Sequence, residues 1–238
     1  MIQSDKIVYT KGDQSFEGNI AWDDSFMHKR PGILIAHTWV GQSDFENQKG
    51  KALAELGYVA LSIDMYGKGR RASGPEEAEE LMHELTQDRE LLRDRILMAK
   101  DTLADNPLVD VSKLGAIGFC FGGKCVLDLA RTGIDIKGVV SFHGIYDPPP
   151  IYYTDPILSS VLILHGWEDP LATPEQVNLL ANELTERNAD WQILAFGHTG
   201  HAFTNPNAKS PDEGMFYQRS SSDRAWKTMQ NFFAEKFA

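Results

Sequence analysis

A chain of 238 residues, 42% of them hydrophobic, is long enough to bury one sizeable core, and α/β chains of this length are commonly a single domain. Its formal net charge of −11, from 34 acidic against 23 basic side chains, argues against nucleic acid or an anionic membrane surface as a partner. No apolar run approaches the roughly 18 residues of a membrane span. Residues 1–6 lack a basic stretch followed by an apolar one, so the expected compartment is the cytoplasm.

Taken in chain order, short apolar segments alternate with helical patterns, the signature of an α/β fold with a mostly parallel central sheet and helices on both faces. Residues 6–10 and 15–22, separated by Lys11-Gly12-Asp13, read as a hairpin that starts the sheet antiparallel. Residues 33–37 form the next strand, 43–56 a helix stopped by Gly57, and 59–64 a further buried strand. From 75 to 103, glutamates interleave with Arg89, Arg93 and Arg95, the pattern of a solvated helix face. Residues 114–118 read as a strand, 123–132 as a helix and 136–142 as a strand. The Pro148-Pro149-Pro150-Ile151-Tyr152-Tyr153 segment suits neither helix nor central strand and reads as a stiff loop. Thr173-Pro174-Glu175 opens a helix to about residue 187. Residues 205–219 are polar and turn-rich, a candidate flap. The last helix starts near 222, with Ala225, Trp226, Met229, Phe232 and Phe233 on one apolar face.

The most informative segment is Gly118-Phe119-Cys120-Phe121-Gly122-Gly123, where a buried strand breaks into a Gly-x-Cys-x-Gly turn and opens a helix. Glycines two positions either side of a nucleophile let a sharp, strained turn pass close to its neighbours and lift the side chain clear of the sheet. A helix N-terminus then favours the thiolate. By itself the pattern also fits a small buried Cys in a tight turn. Downstream order separates the two readings. The strand through 161–164 ends in His165-Gly166-Trp167-Glu168-Asp169-Pro170, and the strand end at 194–196 leads into a loop with His198 and His201. Nucleophile, acid and histidine therefore follow one another as in α/β-hydrolases, each past a strand's C-terminal end, where open α/β sheets place their sites. Cys125, the second of two cysteines, reads as a small core residue.

On these segments, together with Gly200-His201-Ala202-Phe203-Thr204-Asn205-Pro206, the chain resembles the dienelactone hydrolase family from the residue-33 strand to the C-terminal helix. The resemblance implies an α/β-hydrolase fold and a Cys-Asp-His triad on Cys120, Asp169 and His201. It also implies an oxyanion hole from the backbone N–H groups of Trp39 and Phe121. The expected activity is hydrolysis of a small ester or lactone through a thioester, without cofactor or metal. Cys120, Asp169 and His201 lie on separate loops with no Cys-x-x-Cys or His-Glu-x-x-His framework for zinc. Thr38, Tyr152, Tyr153, Trp167 and Asn205 are the expected substrate contacts, and the assembly a monomer or homodimer. Without the His-Ala-Phe context of His201, His198 reads as a surface or supporting histidine.

Thr38 and Asn205 stand where the family's well-known enzymes carry a glutamate and an arginine that help switch the thiol to thiolate. Direct pairing of Cys120 with His201 is expected in their place. The family's substrate-carboxylate arginine falls in a region occupied here by Glu76 to Glu84, with Arg70 and Arg71 the nearest substitutes. A neutral or aromatic ester is therefore the expected substrate, rather than a dianionic dienelactone. Two alternatives remain: phosphotriester hydrolysis by the same nucleophile, and a thiol-sensing or binding protein without turnover.

Overall fold

The computed structural model describes residues 1–150 and 155–238. Within the fifth strand the chain divides into two compact units, Met1–Ile117 and Gly118–Ala238.

In the first unit, β1 (Ile2–Lys11) and β2 (Gln14–Asp23) form the antiparallel hairpin expected around Gly12, with the Tyr9 and Phe16 rings stacked 5.6 Å apart. β3 (Arg30–Ala36) leads into α1 (Asp44–Glu55), then β4 (Val59–Ser62). β3 and β4 run parallel, β2 and β4 antiparallel. Nearly every residue of β3 and β4 is buried, the reason both read as unbroken apolar runs rather than alternating ones. Ser43 starts α1: its N–H and hydroxyl donate to Glu46 at 2.9 and 2.7 Å, a reciprocal cap.

The charged stretch departs from expectation. It is two helices, α2 (Pro75–Gln87) and α3 (Arg89–Ala104), broken at Asp88, whose carboxylate accepts the Leu91 N–H at 2.9 Å. Nor is its face simply solvated, because Arg95 is buried, donating to Met65 O at 2.7 Å and pairing with Glu84 at 3.1 Å. A charge pattern alone does not say which long side chain finds carbonyls to satisfy it. β5 (Val109–Phe119) starts before the expected strand and lies beside β3, giving the order β1-β2-β4-β3-β5.

The second unit opens with α4 (Phe121–Arg131), buried along its whole length and begun directly after Cys120. β6 (Gly138–Phe142) and β7 (Ser160–Gly166) are buried throughout; α5 (Pro174–Glu186) and β8 (Trp191–Phe196) follow. The three strands are parallel in the order β6-β7-β8. α5 begins as its sequence indicates, with the Thr173 N–H donating to Gln176 at 2.9 Å. Arg131 closes the base of this unit: its guanidinium binds Glu183 at 2.8 and 2.7 Å, Asp128 at 3.0 Å and Tyr146 O at 3.1 Å.

The expected flap contains a short hairpin of β9 (Lys209–Ser210) and β10 (Met215–Phe216). α6 (Arg219–Lys236) starts earlier than expected but buries Ala225, Met229, Phe232 and Phe233 as its periodicity requires. Among the described residues no helix is long and apolar enough to cross a membrane. Tyr152 and Tyr153 lie outside the described residues.

Candidate active site

Cys120 sits between the end of β5 and the first turn of α4 with φ 56° and ψ −116°, a conformation that costs a residue with a β-carbon on the order of 1–3 kcal/mol. Two local features hold it there. Its N–H donates to Phe142 O at 3.1 Å, and its carbonyl accepts the Gly123 N–H at 2.9 Å. At Gly118 a β-carbon would overlap the backbone carbonyl of Gly122, so the turn can close only over a glycine. The thiol, 8% exposed, lies at the positive end of the α4 dipole. Phe121 is the first residue of that helix, where N–H groups point out of the helix end.

The acid and histidine loops are joined through their backbones. Trp167 N–H donates to Phe196 O at 2.9 Å and Glu168 N–H to Thr199 O at 3.0 Å. A β-carbon on Gly166 would meet the carbonyls of Thr199 and Gly200, so glycine lets the two loops touch. Buried Asp169 accepts the Leu171 N–H on Oδ1 at 2.8 Å and the His201 Nδ1–H on Oδ2 at 2.7 Å. The β9–β10 hairpin, rather than standing off as a flap, holds the backbone of His201: its N–H donates to Gly214 O at 2.7 Å and its carbonyl accepts from Phe216 N at 3.2 Å. His201 is 2% exposed.

Among the described residues the second ring nitrogen, Nε2, makes no hydrogen bond of ordinary geometry, yet His201 interacts with Cys120 as both charge and hydrogen-bond partner. Nucleophile–base contacts are often this loose before substrate binds. Burial, the largest influence on the ring, favours its neutral form. The Cys120 sulfur as thiolate and then the bond to Asp169 outweigh burial, raising the His201 pKa to about 10. A charged imidazolium is the state of His201 that this environment favours.

The remaining expected residues fall as follows. His198 is exposed and pairs with Glu168 at 3.1 Å. Trp167 is half-exposed, its ring edge-on to buried His165 at 6.1 Å. Asn205 accepts the Asn207 N–H on its side-chain Oδ1 at 3.0 Å. In the first unit, Thr38 donates its N–H to buried Glu46 at 3.2 Å and its carbonyl accepts from His37 Nδ1 at 2.6 Å. The Trp39 carbonyl accepts the Tyr66 hydroxyl at 2.8 Å. Arg71 pairs with Asp64 at 3.2 Å and Arg70 with Glu84 at 2.6 Å, so both guanidinium groups are engaged by the protein. Sequence reasoning missed Thr204 and the hairpin carbonyl of Gly214. Neither a hydroxyl nor a backbone acceptor has a periodic signal. Among the described residues no group of three or more His, Cys, Asp or Glu side chains is arranged to hold a metal ion.

A strand-ending elbow followed by an acid loop and a histidine loop, on parallel strands with helices packed against them, is the plan of the α/β-hydrolases. The protein named m3DLH superposes with a TM-score of 0.95 at 35% identity, covering 100% of this chain and 99% of its own. The crystal structure of a dienelactone hydrolase-like promiscuous phosphotriesterase from metagenomic libraries gives 0.94 at 35% identity, with 98% of each chain covered. A putative carboxymethylenebutenolidase of Yersinia pestis is 24% identical over 96% of this chain and 86% of its own length. The model of the dienelactone hydrolase family matches residues 16–237. The chain belongs to that family, and with it to the hydrolases acting on ester or lactone bonds.

Proposed function

We propose that Cys120, His201 and Asp169 act together as nucleophile, general acid–base and orienting carboxylate in the hydrolysis of a small neutral or aromatic ester or lactone. The observation that carries this is the 2.7 Å bond from His201 Nδ1 to buried Asp169, on a ring that Cys120 influences as charge and hydrogen-bond partner. The Cys120 thiolate adds to the carbonyl carbon and the carbonyl oxygen becomes an oxyanion. The Phe121 N–H stabilises that charge, a donor of this kind contributing about 3 kcal/mol in measured enzymes. Collapse breaks the carbon–oxygen bond, and the leaving oxygen takes the proton from His201 Nε2. Cys120 is left as a thioester.

Acylation then changes the base. Once the sulfur carries no charge, the strongest upward influence on His201 is gone while burial persists, so the ring that has given up its proton stays neutral and able to deprotonate water. Addition of that water and expulsion of the thiolate complete the cycle. The engagement of Arg70 and Arg71 supports a substrate without a second carboxylate. Incubation with p-nitrophenyl esters and lactones, followed by intact-mass analysis, is expected to trap an acyl adduct on Cys120. Cys120→Ser should shift it to an oxyester or abolish it. Labelling of the thiol without turnover of any substrate in the panel would instead favour a sensor. The 35% identity to a promiscuous phosphotriesterase supports a second reading, attack of the same thiolate on phosphorus. Burst amplitudes with a paraoxon-like phosphotriester separate the two.

A further inference from the structure

Resting on the reading of Cys120 and His201 above, we propose that His143 is a positioning residue for the reaction, fixing the plane of the His201 ring relative to the nucleophile. His143 follows the last residue of β6, and the dipeptide Phe142-His143 touches both ends of the proton-transfer pair. Phe142 O accepts the Cys120 N–H at 3.1 Å. The next residue presents its ring to that of His201, centroids 5.1 Å apart and planes at 67°.

Three observations distinguish His143 from core filling. First, its ring is tethered, with Nε2 2.7 Å from the Thr204 hydroxyl in the turn that follows His201. Second, it stands edge-on to Phe203 as well, at 5.2 Å and 78°, so its own plane is set from two sides; it is 1% exposed. Third, its backbone has φ 37°, a region that residues with a β-carbon rarely occupy unless the surroundings enforce it, and that clusters at functional sites. A ring needed only for volume requires neither tether nor strain.

The need for such a neighbour follows from how His201 is held. Asp169 grips one nitrogen, and a single bond does not by itself fix the plane of the ring about the Nδ1 to Oδ2 line. Among the described residues Nε2 makes no hydrogen bond of ordinary geometry, and the ring has beyond Asp169 only its interaction with Cys120. Yet Nε2 must point first at the leaving oxygen and then at water, and errors of about 1 Å in such alignments cost up to about a hundredfold in rate. An edge-on ring blocks rocking while adding no hydrogen bond that would compete for the proton.

The experiment compares wild type, Thr204→Val, Thr204→Ser and His143→Phe. Thr204→Val removes the tether at nearly constant shape, and His143→Phe keeps a ring without the tether. We expect both to lower kcat on a p-nitrophenyl ester by about tenfold to a hundredfold with KM changed less than about twofold. The double variant should be no worse than the weaker single, because both cut one interaction. Thr204→Ser keeps the hydroxyl and should restore kcat. Iodoacetamide labelling of Cys120 at about pH 6, read by intact mass, should slow in Thr204→Val, since a tilted ring no longer faces the sulfur. That arm needs no turnover, so it decides the role of His143 even if wild type hydrolyses no ester and the functional reading fails. Thr204→Val with unchanged melting temperature, wild-type kcat and wild-type labelling would overturn the proposal. So would a rise in KM that matches the fall in kcat/KM.

Discussion

The proton on His201 is where the chemistry of single residues can be read. Burial acts against its charge, while the Cys120 thiolate and Asp169 favour it more strongly. Removing the charged ring that faces the sulfur, as in His201→Ala, should slow alkylation of Cys120 in the free enzyme at about pH 6 by about tenfold or more. Rates at about pH 6 that are unchanged by His201→Ala would break the pairing. Asp169→Asn should leave the fold intact and reduce kcat by about a hundredfold to ten-thousandfold, because an amide in that place can favour the wrong ring tautomer. Steady-state kinetics beside a melting curve test it. His198, three residues from His201 in sequence, serves as the internal control: exposed and paired with Glu168, it should tolerate alanine with little change in rate.

At the scale of elements, the elbow is held by backbone crowding more than by side-chain contacts. Gly118 faces the carbonyl of Gly122 with no room for a β-carbon, and neither partner is a flexible side chain that could move away. Gly118→Ala should thus destabilise by about 2–4 kcal/mol, visible as a lower urea midpoint, and should slow acylation as the turn reopens. An unchanged midpoint would mean that β5 and α4 part at no cost. The β9–β10 hairpin shows the limit of local reading. Residues 205–219 look like a mobile cover by composition, but their backbone is hydrogen-bonded to His201 on both sides. Composition reports what a segment can expose; it does not report what its carbonyls bind.

For the molecule as a whole, the same imidazolium makes stability depend on pH. His201 binds its proton more tightly folded than unfolded, so its contribution is fully present below its ordinary value of 6.5 and is lost as pH rises through about 10. Melting temperature should fall across that window, and less so in Cys120→Ala, which lacks the thiolate that raises the pKa. Equal slopes in the two proteins would contradict the charge pair. Cys120, Asp169 and His201 all belong to the Gly118–Ala238 unit, joined there by β6, β7, β8 and the loops at their ends.

Much of this was present in the chain itself. The apolar runs at the centres of β3 and β7 announce buried parallel strands, because a strand covered on both faces has no polar side to alternate. The glycines around Cys120 announce the elbow, because only glycine permits that approach of backbone to backbone. The order of cysteine, aspartate and histidine indicated the candidate site before any distance was known. Folding decided the rest: that Arg95 is buried, that a hairpin carbonyl anchors His201, and that His143 and Thr204 close around it. Those outcomes rest on carbonyls, hydroxyls and ring planes brought together from positions up to 61 residues apart. Contacts of that kind leave no period or spacing in a sequence, since their partners become neighbours only when the strands have paired.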